Sequence, residues 1–281
     1  MKKSTALYLL FNFVGGLVGL VVVGYVVYSA LHTEQEPPCS ARYGAPTRFA
    51  LKTGDGTLLS PIELQAHVGP NEWGVIENAK VVSADEAPDG TAIEVKLASV
   101  AVDEPVGERA TNGVDFRWTP PGVQPATAAC LSYSLWLPED FAFDNGGVLP
   151  GIFGGLPAAT AGPDGGEKRF GSRLQWRSGV EAKLGIAAAG SGYRPVSVPG
   201  FPLPQGRWTR IEQELVLNAP GAENGSVRLW IDGKLKAEDS SVALRTDQNA
   251  KISGVLADIG YFRSSSKASL LRLSAFELSW R

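Results

Sequence analysis

Apolar and polar residues alternate through most of the chain in short runs bounded by Gly, Pro, Asn and Asp. The segments "TAIEVKLASV", "CLSYSLWLP", "SRLQWRSG", "EAKLGIAAAG", "WTRIEQELVLN", "SVRLWIDGKLKAE" and "AFELSW" all have this form, which predicts β-strands. In the fifth of these, Ile211, Leu215 and Leu217 share one parity and Arg210, Glu212 and Glu214 the other. That pattern predicts a strand with one buried and one solvated face. Asp232 and Gly233 lie between two extended runs, and Asn224 and Gly225 precede the first of them. Both pairs predict hairpin turns, so residues 208–240 are expected to form a meander. Near the C-terminus Leu271 and Leu273 differ in parity from Phe276, Leu278 and Trp280, which predicts a break or bulge at Ser274.

The exception to alternation is Ala6 to Leu31, an uncharged apolar run long enough to cross a bilayer as a helix. Lys2 and Lys3 precede it, and Glu34 and Glu36 follow it. The positive-inside bias then gives a cytoplasmic N-terminus (1–5), a membrane span (6–31), a Pro-containing linker (32–48) and an external domain (49–281). A cleaved signal peptide is the competing expectation. Against it, bulky Tyr28 stands where cleavage after Ala30 calls for a small residue. Asn12, Gly15, Gly16 and Gly19 lie along one side of the helix, a stripe that suits a transmembrane helix partner or a membrane complex.

Composition narrows the class without changing it. With 33 Gly and 19 Pro, many tight turns are expected and the folded part is assigned to the all-β class. A net charge of -3 gives no basic field to attract nucleic acid, so no nucleic-acid partner is expected. Cys39 and Cys130 are the only cysteines. On the external side of a membrane they are candidates for a disulfide, with two unpaired thiols as the alternative. No metal is expected: "GDGT" at 54–57 lacks the spacing of a calcium loop, and "PDGGEK" has no βαβ surroundings. No cofactor is expected either. His67, the lone histidine of the folded part, is read as structural or solvated.

Three stretches, "LPEDFAFDNGGVLPGIFGG", "RFGSRLQWRSG" and "GRWTRIEQELVLNAPGAENGSVRLWIDGKL", in this order resemble the family 14 polysaccharide lyases. The resemblance covers roughly residues 130–280 and implies a concanavalin A-like jelly-roll β-sandwich acting on alginate or glucuronan. Such a lyase removes the proton on carbon 5 of a uronate, stabilises the charge growing on its carboxylate and protonates the leaving oxygen. The family pattern supplies a lysine in Gly-Gly-Lys-Leu-Pro-Gly, a Ser-x-Arg pair and a Tyr-x-Tyr pair. Here the lysine position is Val148, the Ser-x-Arg positions are Gly171 and Arg173 with Ser172 displaced by one, and the Tyr-x-Tyr positions are Gly185 and Ala187. Arg173 alone matches.

Strand parity places Arg173, Gln175 and Arg177 on one face, with Glu181 and Lys183 on the corresponding face of the next strand. These five are the candidate ligand residues, suited to carboxylates of an acidic polysaccharide. Trp176 and Trp136 are expected in the core, with stacking on sugars as the alternative. The loop 157–169 is a candidate rim. The resulting expectation is a periplasm-facing, single-pass inner-membrane protein whose lyase-like domain binds glycan or serves as an accessory subunit. The alternative is an active lyase with a relocated site, in which Arg173 clamps the carboxylate and Lys183 or Tyr193 moves the proton.

Overall fold

The computed structural model describes residues 13–25, 36–69, 72–97, 113–143, 146–156, 169–177, 179, 181–189, 194–196, 200–262 and 267–281. The chain separates into two units, Met1–Glu36 and Pro37–Arg281.

In the first unit residues 13–25 form helix α1. At a rise of about 1.5 Å per residue it covers about 20 Å, against about 30 Å of bilayer hydrocarbon. Among the described residues no helix is long and apolar enough to cross a membrane. The expected single-pass inner-membrane placement is corrected on this finding. The flanks of the apolar run, 6–12 and 26–31, and with them Asn12, lie outside the described residues. Gly15, Gly16 and Gly19 are within α1, and a side chain at any of them would touch nothing.

The second unit is an antiparallel β-sandwich. Its first half contains β1 (Thr47–Arg48), α2 (Pro61–Val68), α3 (Val75–Asn78), β2 (Ala79–Ser83), β3 (Thr91–Leu97), β4 (Val114–Trp118) and β5 (Ala128–Trp136). Next come β6 (Gly147–Gly155), β7 (Phe170–Trp176), β8 (Glu181–Ala187), β9 (Arg194–Pro195) and β10 (Phe201–Pro202). The chain ends with β11 (Trp208–Val216), β12 (Gly225–Ile231), β13 (Lys234–Val242), β14 (Lys251–Tyr261), β15 (Ser269–Leu273) and β16 (Glu277–Trp280). One sheet runs β13-β12-β11-β5-β15-β3-β2, with β16 paired to β5 and β1 to β16. The other runs β10-β8-β7-β6-β14-β4, with β9 also paired to β8. Strands distant in sequence lie side by side in both sheets, as in a jelly roll.

Alternation sets the inner layer. Leu131, Tyr133, Leu135, Ile211 and Leu215 of the first sheet meet Ile152, Leu174, Leu184, Val255 and Ala257 of the second, all nearly inaccessible. Phe49, Phe116, Tyr133 and Phe276 fill one end with rings 5.8 to 6.3 Å apart, and Phe141, Phe143, Trp176 and Tyr261 fill the other. Trp176 is therefore core. Trp136 is half-buried on the outer face of the first sheet under the Arg272 guanidinium, away from any sugar-facing surface of the second.

The meander β11-β12-β13 is present, with Asp232 and Gly233 both at positive φ in its second turn. Asn224–Gly225 is not the first turn. Gly225 already belongs to β12, and the chain reverses at 219–222, where Ala222 N–H donates to Ala219 O and Gly221 takes the positive φ. The Asn224 side chain braces this turn by accepting from Ala219 N–H. The break at Ser274 separates β15 from β16, which share one edge of β5, and the Ser274 hydroxyl accepts from Ser134 N–H.

Residues 37–48, expected to be linker, pack on the domain instead. Cys39 and Cys130 form a disulfide with Cα atoms 5.7 Å apart, and Cys39 is completely buried. The solvated face expected for β11 is corrected at the same place. Glu212 and Glu214 are buried because the segment around Cys39–Tyr43 lies over them.

Candidate functional site

The frame "GGVLPGIFGG", all but its first glycine, forms β6, flanked by β7 and β14. A proline cannot donate to a ladder and is tolerated inside a sheet at a bulge; Pro150 sits at the register shift between Val148 and Gly151. Its carbonyl turns into the core, where it accepts from the Tyr133 hydroxyl at 3.2 Å and the Gln213 amide at 2.7 Å. Burial holds the Tyr133 phenol far above its ordinary pKa, so that hydroxyl stays protonated as a donor.

The core-facing side chains of β7 and β8 include Phe170, Leu174, Trp176, Ala182, Leu184 and Ile186. Their neighbours Gly171, Arg173, Gln175, Lys183, Gly185 and Ala187 face the other way. Register joins them in rows: Val148 with Gln175 and Lys183, Gly151 with Arg173 and Gly185, Phe153 with Gly171 and Ala187. Val148, Gly171, Arg173, Gly185 and Ala187 thus share one face of the second sheet. Val148 and Ala187 are buried there without joining the core cluster.

Four of the five candidate ligand residues, Gln175, Arg177, Glu181 and Lys183, line one open cleft of about 320 Å³, with Pro195 of β9 as its wall. It lies near the edge of β8, which β9 and β10 share. Gly185 shapes its floor: a Cβ there would sit 2.8 Å from the Gln175 amide carbon. The amide therefore lies over bare backbone, and Gln175 is only 6 % exposed. At the other end a Cβ on Gly200 would sit 2.7 Å from a Glu181 carboxylate oxygen, so that glycine lets Glu181 lie close to the β10 segment. The lining offers a guanidinium fork, an ammonium, an amide that both donates and accepts, and one carboxylate acceptor. These groups suit a carboxylate flanked by hydroxyls.

Arg173 does not line this cleft. Its guanidinium is ion-paired with Asp258 of β14, with side-chain exposures of 15 % and 33 %. Because β6 lies between β7 and β14, the arginine crosses a whole strand to reach its partner. Gly151, its register partner on β6, is needed for the close approach of the two strands: a Cβ there would lie 2.6 Å from Arg173 Cα and collide with the Ser172 carbonyl. Asp258 was not foreseen from sequence. The available signal was parity, since Leu256, Asp258 and Gly260 alternate with buried Ala257, Ile259 and Tyr261. Nothing local announces the arginine two strands away.

Tyr193 and the loop 157–168 lie outside the described residues. His67 is at the end of α2 with its ring edge-on to Phe49 at 4.9 Å, remote from the cleft residues in the topology. Among the described residues, the one grouping of metal-ligand types is Cys39, Cys130 and Glu212. Its sulfurs are joined in the disulfide and offer no thiolate.

A two-sheet jelly roll with this strand frame and a polar outer cleft is the architecture of a polysaccharide lyase-like domain. The polysaccharide lyase 14 family model matches residues 86–187 and 193–267, and the chain belongs to that family. Among solved structures it is similar to a marine alginate lyase of the same family from Aplysia kurodai, with a TM-score of 0.63 and 16 % identity over 85 % of this chain and 99 % of that one. An alginate lyase from Chlorella virus gives 0.57 and 16 % over 72 % and 89 %. The endo-β-1,4-glucuronan lyase of the fungus Trichoderma reesei gives 0.52 and 11 % over 75 % and 88 %. At these identities the likeness concerns the fold. No curated protein matches the chain in sequence.

Proposed function

We propose that the protein is an acidic-glycan-binding module built on a lyase scaffold, without the elimination chemistry. The observation that carries this is the division of the outer face. Val148, Gly185 and Ala187 offer no acid or base, whereas Arg177 and Lys183 converge with Gln175 on one cleft. Each positioned acid, base or oxyanion donor in such a reaction commonly supplies a hundredfold or more in rate, so losing them together removes the reaction while leaving a carboxylate-binding surface. The similar lyases act on alginate and glucuronan by their names, which makes oligouronates the first ligands to try.

The test is isothermal titration calorimetry of the full chain with mannuronate and glucuronate tetrasaccharides, alongside ultraviolet detection of unsaturated product. Binding that weakens at least tenfold in Arg177→Ala/Lys183→Ala, with no product formed, is the expected result. Absence of binding to any uronate oligomer would sink the proposal.

One observation favours an active lyase as the second reading. Lys183 shares a cross-strand row with Gln175 and Val148, so an ammonium stands two strands from the position of the family's lysine. Product formation abolished by Lys183→Ala would establish that reading instead.

A further inference from the structure

The cleft and the ion pair beside it are coupled through one side chain. Arg173 leaves from the same face of β7 as Gln175 and Arg177, and in that position an arginine can turn toward the cleft or away from it. It turns away, across β6, to Asp258. A carboxylate of the protein thus takes the guanidinium that a uronate carboxylate would otherwise engage. With Nη1 committed to Asp258 the guanidinium is already turned to, and its charge offset by, a carboxylate of the protein, so a uronate approaching Arg173 competes with a partner whose pairing costs no translational freedom.

We propose that Asp258 is a specificity-determining residue, which withholds Arg173 from acidic ligands and leaves their recognition to Arg177 and Lys183. The proposal rests on the glycan-binding function above and goes beyond it by naming the residue that limits how strongly a uronate is held. Two consequences follow. The strand face over β6 and β7 presents a neutralised pair, so it favours sugar hydroxyls over a second carboxylate. And removal of the Asp258 charge alone gives the cleft a third cation.

The experiment is calorimetric titration of the full-length protein with a saturated glucuronate tetrasaccharide at fixed salt, comparing wild type, Asp258→Asn and Arg173→Lys/Asp258→Asn. Asp258→Asn is expected to bind at least fivefold more tightly, and the double variant is expected to lose most of that gain because lysine lacks the planar fork. Wild type and Asp258→Asn binding equally would overturn the proposal and leave the glycan-binding function standing. No binding by either protein would overturn both.

If Asp258→Asn fails to fold, the wild type still decides the matter by nuclear magnetic resonance of its arginine side chains. The Arg173 Nε–H signal, assigned by its loss in Arg173→Lys, is expected to keep its position at saturating tetrasaccharide while that of Arg177 moves. A matching shift at Arg173 would overturn the proposal.

Discussion

Arg42, from the segment preceding the first strand, donates to the Glu214 carboxylate at 3.0 Å across the outer face of β11. Glu214 is 1 % exposed and also accepts from Arg228 at 3.0 Å and from the Tyr43 hydroxyl at 2.9 Å. Burial, and then the charge of Glu214, hold the Tyr43 phenol well above its ordinary pKa, so it remains a donor. The N-terminal segment is thereby fastened by charge as well as by the disulfide, at a site on the opposite sheet from the cleft.

Removing the carboxylate there takes one acceptor from each of two partly covered guanidinium groups, of which Arg228 keeps Glu238 at 2.8 Å. Glu214→Ala is expected to cost about 3 kcal/mol of stability, toward the lower end for a broken buried pair because Arg42 and Arg228 keep some access to water. The exposed pair of Arg207 with Asp232 serves as the contrast; Arg207→Ala is expected to cost less than about 1 kcal/mol. Urea unfolding of the three proteins measures both values.

The disulfide closes a sequence separation of 91 residues. On the chain-entropy estimate a loop of that length contributes about 4 kcal/mol, and its loss also loosens the Ser40 N–H bond to Glu212 at 3.0 Å. Cys39→Ser/Cys130→Ser is expected to melt well below wild type and to show no further loss on adding reductant. A wild type whose melting temperature ignores reductant, with free thiols detected by alkylation, would contradict this.

Gly185→Ala puts a methyl group where the Gln175 amide lies, 2.8 Å from its carbon. The amide must move off the cleft floor, and oligouronate affinity is expected to fall severalfold. Stability is expected to drop by about 1 kcal/mol, within the range for overpacking. Calorimetric titration and thermal melts of the same sample separate the two effects.

Glu94 fixes the expected acid response. Burial works to raise its pKa, but the hydrogen bonds and charges of Lys80 and Arg272 outweigh burial and hold the carboxyl below its ordinary value. A carboxyl with a lower pKa folded than unfolded stabilises fully above its unfolded value, about 4.3, and that contribution is lost as pH falls through its folded one. Glu94→Gln is therefore expected to lower the melting temperature at neutral pH and to flatten its decline below about pH 5. Parallel melting curves of wild type and variant across that range would refute the assignment.

The alternation of "WTRIEQELVLN", the Asp232–Gly233 turn and the parity change at Ser274 determined a meander, a hairpin and a strand break, because those depend on neighbours along the chain. The same parity put Gln175, Arg177, Glu181 and Lys183 on one face, and the glycine and proline frame around Val148 identified the family. The long apolar run predicts a membrane span, whereas among the described residues no helix is long and apolar enough to cross a membrane. Local alternation also made Glu212 and Glu214 solvated, although a segment some 170 residues earlier covers them. Arg173 likewise had the right face and the wrong partner, since Asp258 reaches it only through the strand order β7-β6-β14. Alternation and turns are legible along the chain because they follow from short-range steric and solvation effects. Which charges meet is not, because ion pairing depends on distances that strand order, set by the whole chain, brings within reach.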